Sequence, residues 1–398
     1  FPDSDVHVLV PAPRKGNLVA RLRGKGAGRP LLLLAHLDVV EARREDWSTD
    51  PFEFVERDGY FYGRGTADIK SGCALLVANL IRLKQEGFVP ARDIIVLLTA
   101  DEEGGDANGV EWLLRTHRDL IDADYCLNTD GGGGEIRKGR RIANELQTGE
   151  KVYLSFRIEA TNPGGHSSLP VKDNAIYHLA GGLERLARFD FPVRLNETTR
   201  AFFEKMSAIE AGDLGRDMKA LAATPPDLDA ASRVSAASAY YNALLRTTCV
   251  ATEVQAGHAE NALPQRARAT VNCRMLPNDA PAEVQKTLIT VLTDPAIAVA
   301  PLGEPRPSPA SPLRPEIVQA VERATSALWP GVPVLPVMST GATDGLFLRR
   351  AGIPVYGVSG LFDDIDDVRA HGKDERMGVR EFFDGLEFMY RVVKDLGA

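Results

Sequence analysis

Leu31-Leu32-Leu33-Leu34-Ala35 runs straight into His36-Leu37-Asp38. An unbroken apolar run of this length suits a strand buried on both faces, as in a parallel sheet. Two further runs follow the same grammar. Asp93–Ala100 leads into Asp101-Glu102-Glu103, and Asp124–Asn128 leads into Thr129-Asp130. Helical patterns lie between them. Ser71–Gln85 carries Leu76, Leu80 and Leu83 at helical spacing and stops at Gly87, and Val110–Leu120 is a second candidate. Strands alternating with helices predict an α/β fold whose mostly parallel sheet is flanked by helices. In such sheets ligands gather beyond the carboxyl ends of the strands. Here those ends carry histidine, aspartate and paired glutamates, all of them metal-competent.

The texture changes after Lys151. Val152–Ala160 alternates, which predicts a strand with one wet face, and a helix bearing Ile176, Leu179, Leu183 and Leu186 follows. A polar, helical stretch, Asn196–Tyr241, is broken by Pro225-Pro226; strand-like runs at Thr247–Thr252 and Ala267–Arg274 come next. The proline-rich Pro301–Pro315 reads as an exit linker. Pro315–Leu328 is helical again, Ile353–Val358 is a short buried strand, and Glu381–Lys394 is a closing amphipathic helix. The expected organisation is a catalytic domain in two parts, 1–151 and 308–398. An α+β lid or dimerisation domain, 152–307, is inserted between them.

Bulk properties narrow the function. The 398 residues are 44% hydrophobic and 26% charged, an ordinary globular balance over a length suited to two domains. The net charge of −8 argues against nucleic acid or an anionic membrane as partner. No apolar run approaches the roughly 18 residues that span a bilayer. Cys73, Cys126, Cys249 and Cys273 are scattered without a C-x-x-C pair, so buried free thiols are expected rather than a zinc ribbon or redox motif. The chain opens on Phe1 and an irregular polar stretch, which reads as a trimmed start. The compartment stays open between cytoplasm and periplasm or exterior. Gly24–Gly28 leads into a strand instead of a helix, and reads as a hairpin turn rather than a dinucleotide loop. Gly131–Gly134 lacks a following Lys-Ser/Thr and reads as a sharp, close-packed turn.

The chemistry starts at His36. A ligating imidazole needs its other nitrogen held by an acceptor, and Asp38, two residues along, points to the same side. Gly63-Arg64-Gly65-Thr66-Ala67-Asp68 precedes the first helix. Asp68 is either a helix cap or a carboxylate shared by two cations, which need an anion between them when they sit about 3.5–4 Å apart. Glu102-Glu103 follows a buried strand and needs a cation nearby. One can ligate a metal while its neighbour takes a proton from water.

At this point the chain resembles the di-zinc metallopeptidase family of glutamate carboxypeptidase, carboxypeptidase S, aminoacylase, acetylornithine deacetylase and succinyl-diaminopimelate desuccinylase. The likeness covers nearly the whole chain. It rests on Ala35–Val40, Gly63–Gly72, Ala100–Gly104, Thr129-Asp130, Gly164–Ser168, Asn261–Pro264, Asn272-Cys273-Arg274, Gly341–Gly345 and His371-Gly372, in that order. The resemblance implies two Zn²⁺ per chain, with Co²⁺ or Mn²⁺ as substitutes. His36, Asp68 and Asp130 would hold one ion; Asp68, Glu103 and His371 would hold the other. Asp38 would orient His36, and Glu102 would serve as general base toward water held between the ions, then as acid toward the leaving nitrogen. His166 would stabilise the oxyanion, in its own chain or across a homodimer formed through the inserted domain. Arg274 and Asn261, with backbone at Gly341 and Ala342, would bind the substrate's carboxylate. Asn196–Tyr241 and Arg246-Thr247-Thr248 resemble the carboxypeptidase S-like branch.

Two substrate readings stay open: a peptidase acting on short peptides beside a free carboxylate, and an N-acyl amino acid hydrolase using the same mechanism. A catalytically silent metal-binding protein has no use for Glu102, and neither glycine cluster suits a nucleotide-dependent oxidoreductase. His258 reads as a surface residue; His7, His117 and His178 have no assigned role.

Overall fold

The computed structural model describes residues 1–398. Its centre is a ten-stranded sheet. Leu31–His36 lies between Ile94–Thr99 and Tyr125–Asn128, parallel to both, and Val355–Gly357 continues the parallel run beside Tyr125–Asn128. Side chains along these strands alternate between two separate cores. Leu31, Leu33, Ile94, Val96 and Leu98 pack with the helices Lys70–Gln85, Pro315–Leu328 and Val379–Gly397. Leu32, Leu34, Ile95 and Leu97 pack with Gly109–Thr116 and Gly345–Arg350 on the opposite face. Each residue of the run is therefore buried whichever way it points, which is why the sequence shows no alternation.

The parallel pairings form the sheet's middle, as expected, and antiparallel strands flank them. Val6–Ala12 and Lys15–Leu22 join one side antiparallel, and Arg140–Glu150 and Gly133–Arg137 pair antiparallel on the other. The Gly24–Gly28 segment is not a hairpin turn. Lys15–Leu22 pairs with Ile94–Thr99, so the chain must step over that strand's start to reach Leu31. In crossing, Lys25 and Ala27 donate backbone hydrogen bonds to Pro90 and Ala91. The Gly131–Gly134 turn is close-packed as expected: a Cβ on Gly132, whose φ is 67°, would sit 2.4 Å from the Gly357 carbonyl oxygen.

A second, antiparallel sheet is ordered Thr248–Ala256, Arg266–Met275, Val152–Thr161, Ile297–Leu302. Ala175–Ala187 and Pro281–Leu292 cover one face, enclosing a core of Leu154, Phe156, Leu179, Val271 and Leu288. The helical stretch between them departs from a simple insertion. Glu197–Met206, Gly212–Ala222, Leu228–Ala237 and Ala239–Leu245 enclose Phe202, Phe203, Met218 and Leu244 together with Leu335 and Val337 of the large sheet. These helices belong to the second segment in sequence and pack on the first domain's sheet in space.

The thiol expectation holds for Cys73 and Cys126, which are buried and free, and fails for the other two. Cys249 and Cys273 stand directly opposite each other on paired antiparallel strands, with Cα atoms 4.1 Å apart, and form a disulfide. Strand register brings them together, and residue spacing carries no trace of it. Peptide mapping under non-reducing conditions is expected to find Cys249 linked to Cys273, with only Cys73 and Cys126 alkylated after denaturation. Reduction is expected to cost about 2–4 kcal/mol of stability, read as a lower melting temperature; an unchanged melt contradicts the pairing.

Candidate metal centre

The carboxyl ends of the three parallel strands deliver His36, the Asp101–Glu103 turn and Asp130 to one place. Asp68 and His371 arrive from outside the large sheet. A three-stranded sheet, Val55–Arg57, Tyr60–Tyr62 and Arg376–Gly378, holds together the chain just before Gly63–Asp68 and the chain just after His371. Two ligand triads result: His36, Asp68 and Asp130, and Asp68, Glu103 and His371.

Asp68 faces both. Its Oδ1 lies 3.1 Å from His36 Nε2 and its Oδ2 lies 2.8 Å from His371 Nε2. Asp130 Oδ1 is 3.7 Å from His36 Nε2, and Glu103 Oε1 is 3.0 Å from His371 Nε2. Each oxygen of one carboxylate thus serves a different imidazole, which is the geometry of a bridging ligand.

Asp38 acts differently from the sequence expectation. His36 Nδ1 is 3.1 Å from the Asp38 backbone carbonyl, while the Asp38 carboxylate is 3.7 Å away. That carboxylate accepts instead from the backbone N–H groups of Glu102, at 3.2 Å, and Glu103, at 3.0 Å. Asp38 therefore ties the histidine strand to the glutamate turn. Asp101 precedes that turn with a left-handed φ of 64° and accepts from Ala107 N.

The electrostatics ask for positive charge. Burial would lower the His36 pKa, but the carboxylates of Asp130, Asp38 and Asp68 around it overcome this and hold the imidazole well above its ordinary value. Glu102 is pushed up to about 9, first by burial and then by Asp130 and Asp344. Burial raises Asp130 and Glu103 as well. Asp344 is fully enclosed and accepts from Thr99 Oγ1 and Asn108 Nδ2. Carboxylates this crowded stay ionised only beside cations.

Two residues that sequence reasoning passed over build the frame. Glu375 is fully buried, and its carboxylate accepts from the backbone N–H groups of Gly65, Ala67 and Asp68 at 3.0, 2.8 and 2.9 Å. Arg64 pairs with it at 2.6 Å and also donates to the His371 carbonyl at 3.3 Å. His371 itself has a left-handed φ of 62°, rare for a residue with a Cβ, and this contact helps to hold it. One buried ion pair therefore sets the loops of two triad members at once. Arg64 lies inside a stretch read only for its glycines, and Glu375 lies in the charged run Lys373–Arg376 that gives no periodic signal.

The other expected site residues lie away from the triads, and of them only Arg274 is on the four-stranded sheet. His166 pairs with Ala262 in a short two-stranded sheet, and Ser167 N donates to the Asn261 carbonyl, so His166 and Asn261 are neighbours. His166 is exposed, with Nδ1 bonded to Ser168. Arg274 is half-buried over the Tyr153 ring and has no acidic partner. None of the three bonds to the triads. Gly341 and Ala342 are exposed on the loop that follows Val334–Ser339, with Thr343 anchored to buried Glu150. His258 is on the surface, as expected.

Residues 32–395 match the model of peptidase family M20/M25/M40. An N-fatty-acyl-amino acid synthase/hydrolase of Homo sapiens is 28% identical over 92% of this chain and 74% of its own. A probable carboxypeptidase S-like protein of Dictyostelium discoideum is 26% identical, covering 92% and 72%. Among solved structures, an M20 family metallo-carboxypeptidase from Sulfolobus solfataricus superposes with a TM-score of 0.69 at 20% identity, covering 98% of this chain and 90% of that one.

Replacing Arg64 with alanine leaves the Glu375 charge buried and unpaired. The expected loss is about 3–5 kcal/mol of unfolding free energy in a urea titration; an unchanged midpoint contradicts the framing role.

Proposed function

The chain belongs to the M20/M25/M40 peptidase family, and from that premise we propose that it is a two-metal amide hydrolase that cuts short peptides beside a free carboxylate. The observation that carries this reading is the Asp68 carboxylate, one oxygen turned to each of two His-and-carboxylate triads. The donor set fits a pair of divalent ions: imidazole and carboxylate suit zinc, and the excess of buried carboxylates over imidazoles needs the added charge. His36, Asp68 and Asp130 would hold one Zn²⁺, and Asp68, Glu103 and His371 the other. Bound there, the ions supply Lewis acidity to the scissile carbonyl and to the attacking water.

The rest is the work of the chain's own groups. Glu102 is positioned through its backbone bond to Asp38, and with cations in the triads to keep it ionised its carboxylate is suited to take a proton from water and pass it to the leaving nitrogen. Arg274, without an acidic partner, is free to pair with the substrate's carboxylate, and Asn261 and the Gly341–Ala342 backbone would add donors. His166, exposed and away from the triads, would reach the oxyanion by closure of the second domain or from the partner of a homodimer formed through that domain. The Cys249–Cys273 bond favours an oxidising compartment.

A second reading, hydrolysis of N-acyl amino acids, is favoured by one feature. An apolar groove of about 410 Å³ beside the Gly63–Thr66 loop is walled by Phe52, Phe54, Phe61 and Phe382, which suits an aliphatic acyl chain. The human relative's name points the same way.

Glu102→Gln is expected to retain both metals while kcat falls by about 10²–10⁴-fold. Normal turnover in the metal-loaded variant would remove Glu102 from the mechanism. A panel of dipeptides and N-acyl amino acids of increasing chain length separates the two substrate readings. Rising kcat/KM with acyl length favours the second, and a preference for dipeptides the first.

A further inference from the structure

The backbone ladder between Lys15–Leu22 and Ile94–Thr99 runs as far as Leu18 opposite Leu98 and stops there. Ala100–Glu103 has left the strand, yet this is the segment that presents Glu102 and Glu103. Continuing the register by three residues sets Lys15 opposite Asp101. Beyond the ladder, side chains of the outer strand take the place of its backbone hydrogen bonds. Asn17 is fully buried; its amide oxygen accepts the Ala100 N–H at 3.0 Å, and its Nδ2 donates to the Leu9 carbonyl at 3.3 Å. Two residues along, on the same side of the strand, Lys15 pairs with the Asp101 carboxylate.

The loop after Asp101 is gathered on these two side chains. Asp101 is buried, and its carboxylate also accepts the Ala107 N–H at 3.1 Å while its carbonyl accepts from Asn108 Nδ2 at 3.1 Å. A Cβ on Gly105 would collide with the Asp101 carboxylate, and one on Gly109 with the Asn17 amide oxygen. A buried carboxylate next to Glu102 and Glu103 needs a counter-charge, and Lys15 supplies it. The glutamate turn is thus held from both strands that flank Ile94–Thr99. Asp38, which follows Leu31–His36, holds the N–H groups of Glu102 and Glu103, and Lys15 and Asn17 hold Ala100 and Asp101.

We infer that Lys15 is a positioning residue: through Asp101 it sets the backbone of the turn, and with it the place of the Glu102 carboxylate and of Glu103. This rests on the amide-hydrolase reading and deepens it, extending the machinery to a strand that carries no ligand. Lys15 and Asp101 also line a cavity of about 590 Å³ together with Ala12, Trp112 and Arg115. A small solute therefore has access to the place that the lysine fills.

The Lys15 side chain is 39% exposed, so its truncation removes no core packing. In the zinc-loaded enzyme, Lys15→Ala is expected to lower kcat by about tenfold or more, with KM within about twofold of native. Calorimetric titration of the metal-free variant with Zn²⁺ is expected to show one ion held about tenfold more weakly. By charge alone, removing a cation near crowded carboxylates would tighten metal binding, so the sign separates positioning from electrostatics. n-Propylammonium, which matches the truncated part of the side chain, is expected to restore kcat to the variant, and 1-propanol is not. Native kcat in Lys15→Ala overturns the inference. So does an amine that rescues no better than 1-propanol, or a zinc affinity that is unchanged or higher. A native enzyme that cleaves neither dipeptides nor N-acyl amino acids removes the hydrolase reading instead, and the zinc titration then decides the role of Lys15 by itself.

Discussion

The structure depends on a local excess of negative charge. Asp38, Asp68, Glu102, Glu103 and Asp130 converge at one end of the sheet, with only His36 and His371 as nearby basic ligands. Such a group is stable only where cations enter it or where protons are taken up, and the raised proton affinities of His36 and Glu102 express that demand. The surrounding architecture can be understood as the scaffold that holds these like charges together. Parallel strands buried on both faces fix His36, the glutamate turn and Asp130. The fully buried Arg64–Glu375 pair fixes the two loops that no strand of that sheet holds.

The strand ends were legible because burial on both faces leaves a distinctive mark, an apolar run without alternation that stops at a polar residue. Leu31–His36 and Ile94–Thr99 show it plainly, and the residues that follow them carry the chemistry. His371 sits in a loop and is held by a left-handed backbone and a carbonyl contact, features with no sequence period, so only family resemblance pointed to it. Glu375 escaped for the same reason, since its partners are backbone amides about 310 residues earlier in the chain. The mixed strand directions, the crossing at Gly24–Gly28 and the Cys249–Cys273 pairing are all matters of register between distant segments. Local pattern cannot encode these, because pairing partners are chosen by the assembled sheet.

The second segment shows how sequence order and packing diverge. Its four-stranded sheet and two helices form a core of their own, yet the helices over 197–245 close on Leu335, Val337 and Met338 of the large sheet. This places aromatic residues of an inserted stretch over a cavity on the large sheet whose lining includes Gly131, the residue after Asp130.

The most direct measurement of the central claim is metal stoichiometry and affinity in the protein and in an Asp68→Ala variant, by calorimetric titration with Zn²⁺ and elemental analysis. A shared carboxylate predicts two ions per chain in the native protein and weakened binding at both positions in the variant, because one side chain serves both triads. A native protein that binds one ion or none would contradict the account. So would an Asp68→Ala protein that binds two ions with unchanged affinity.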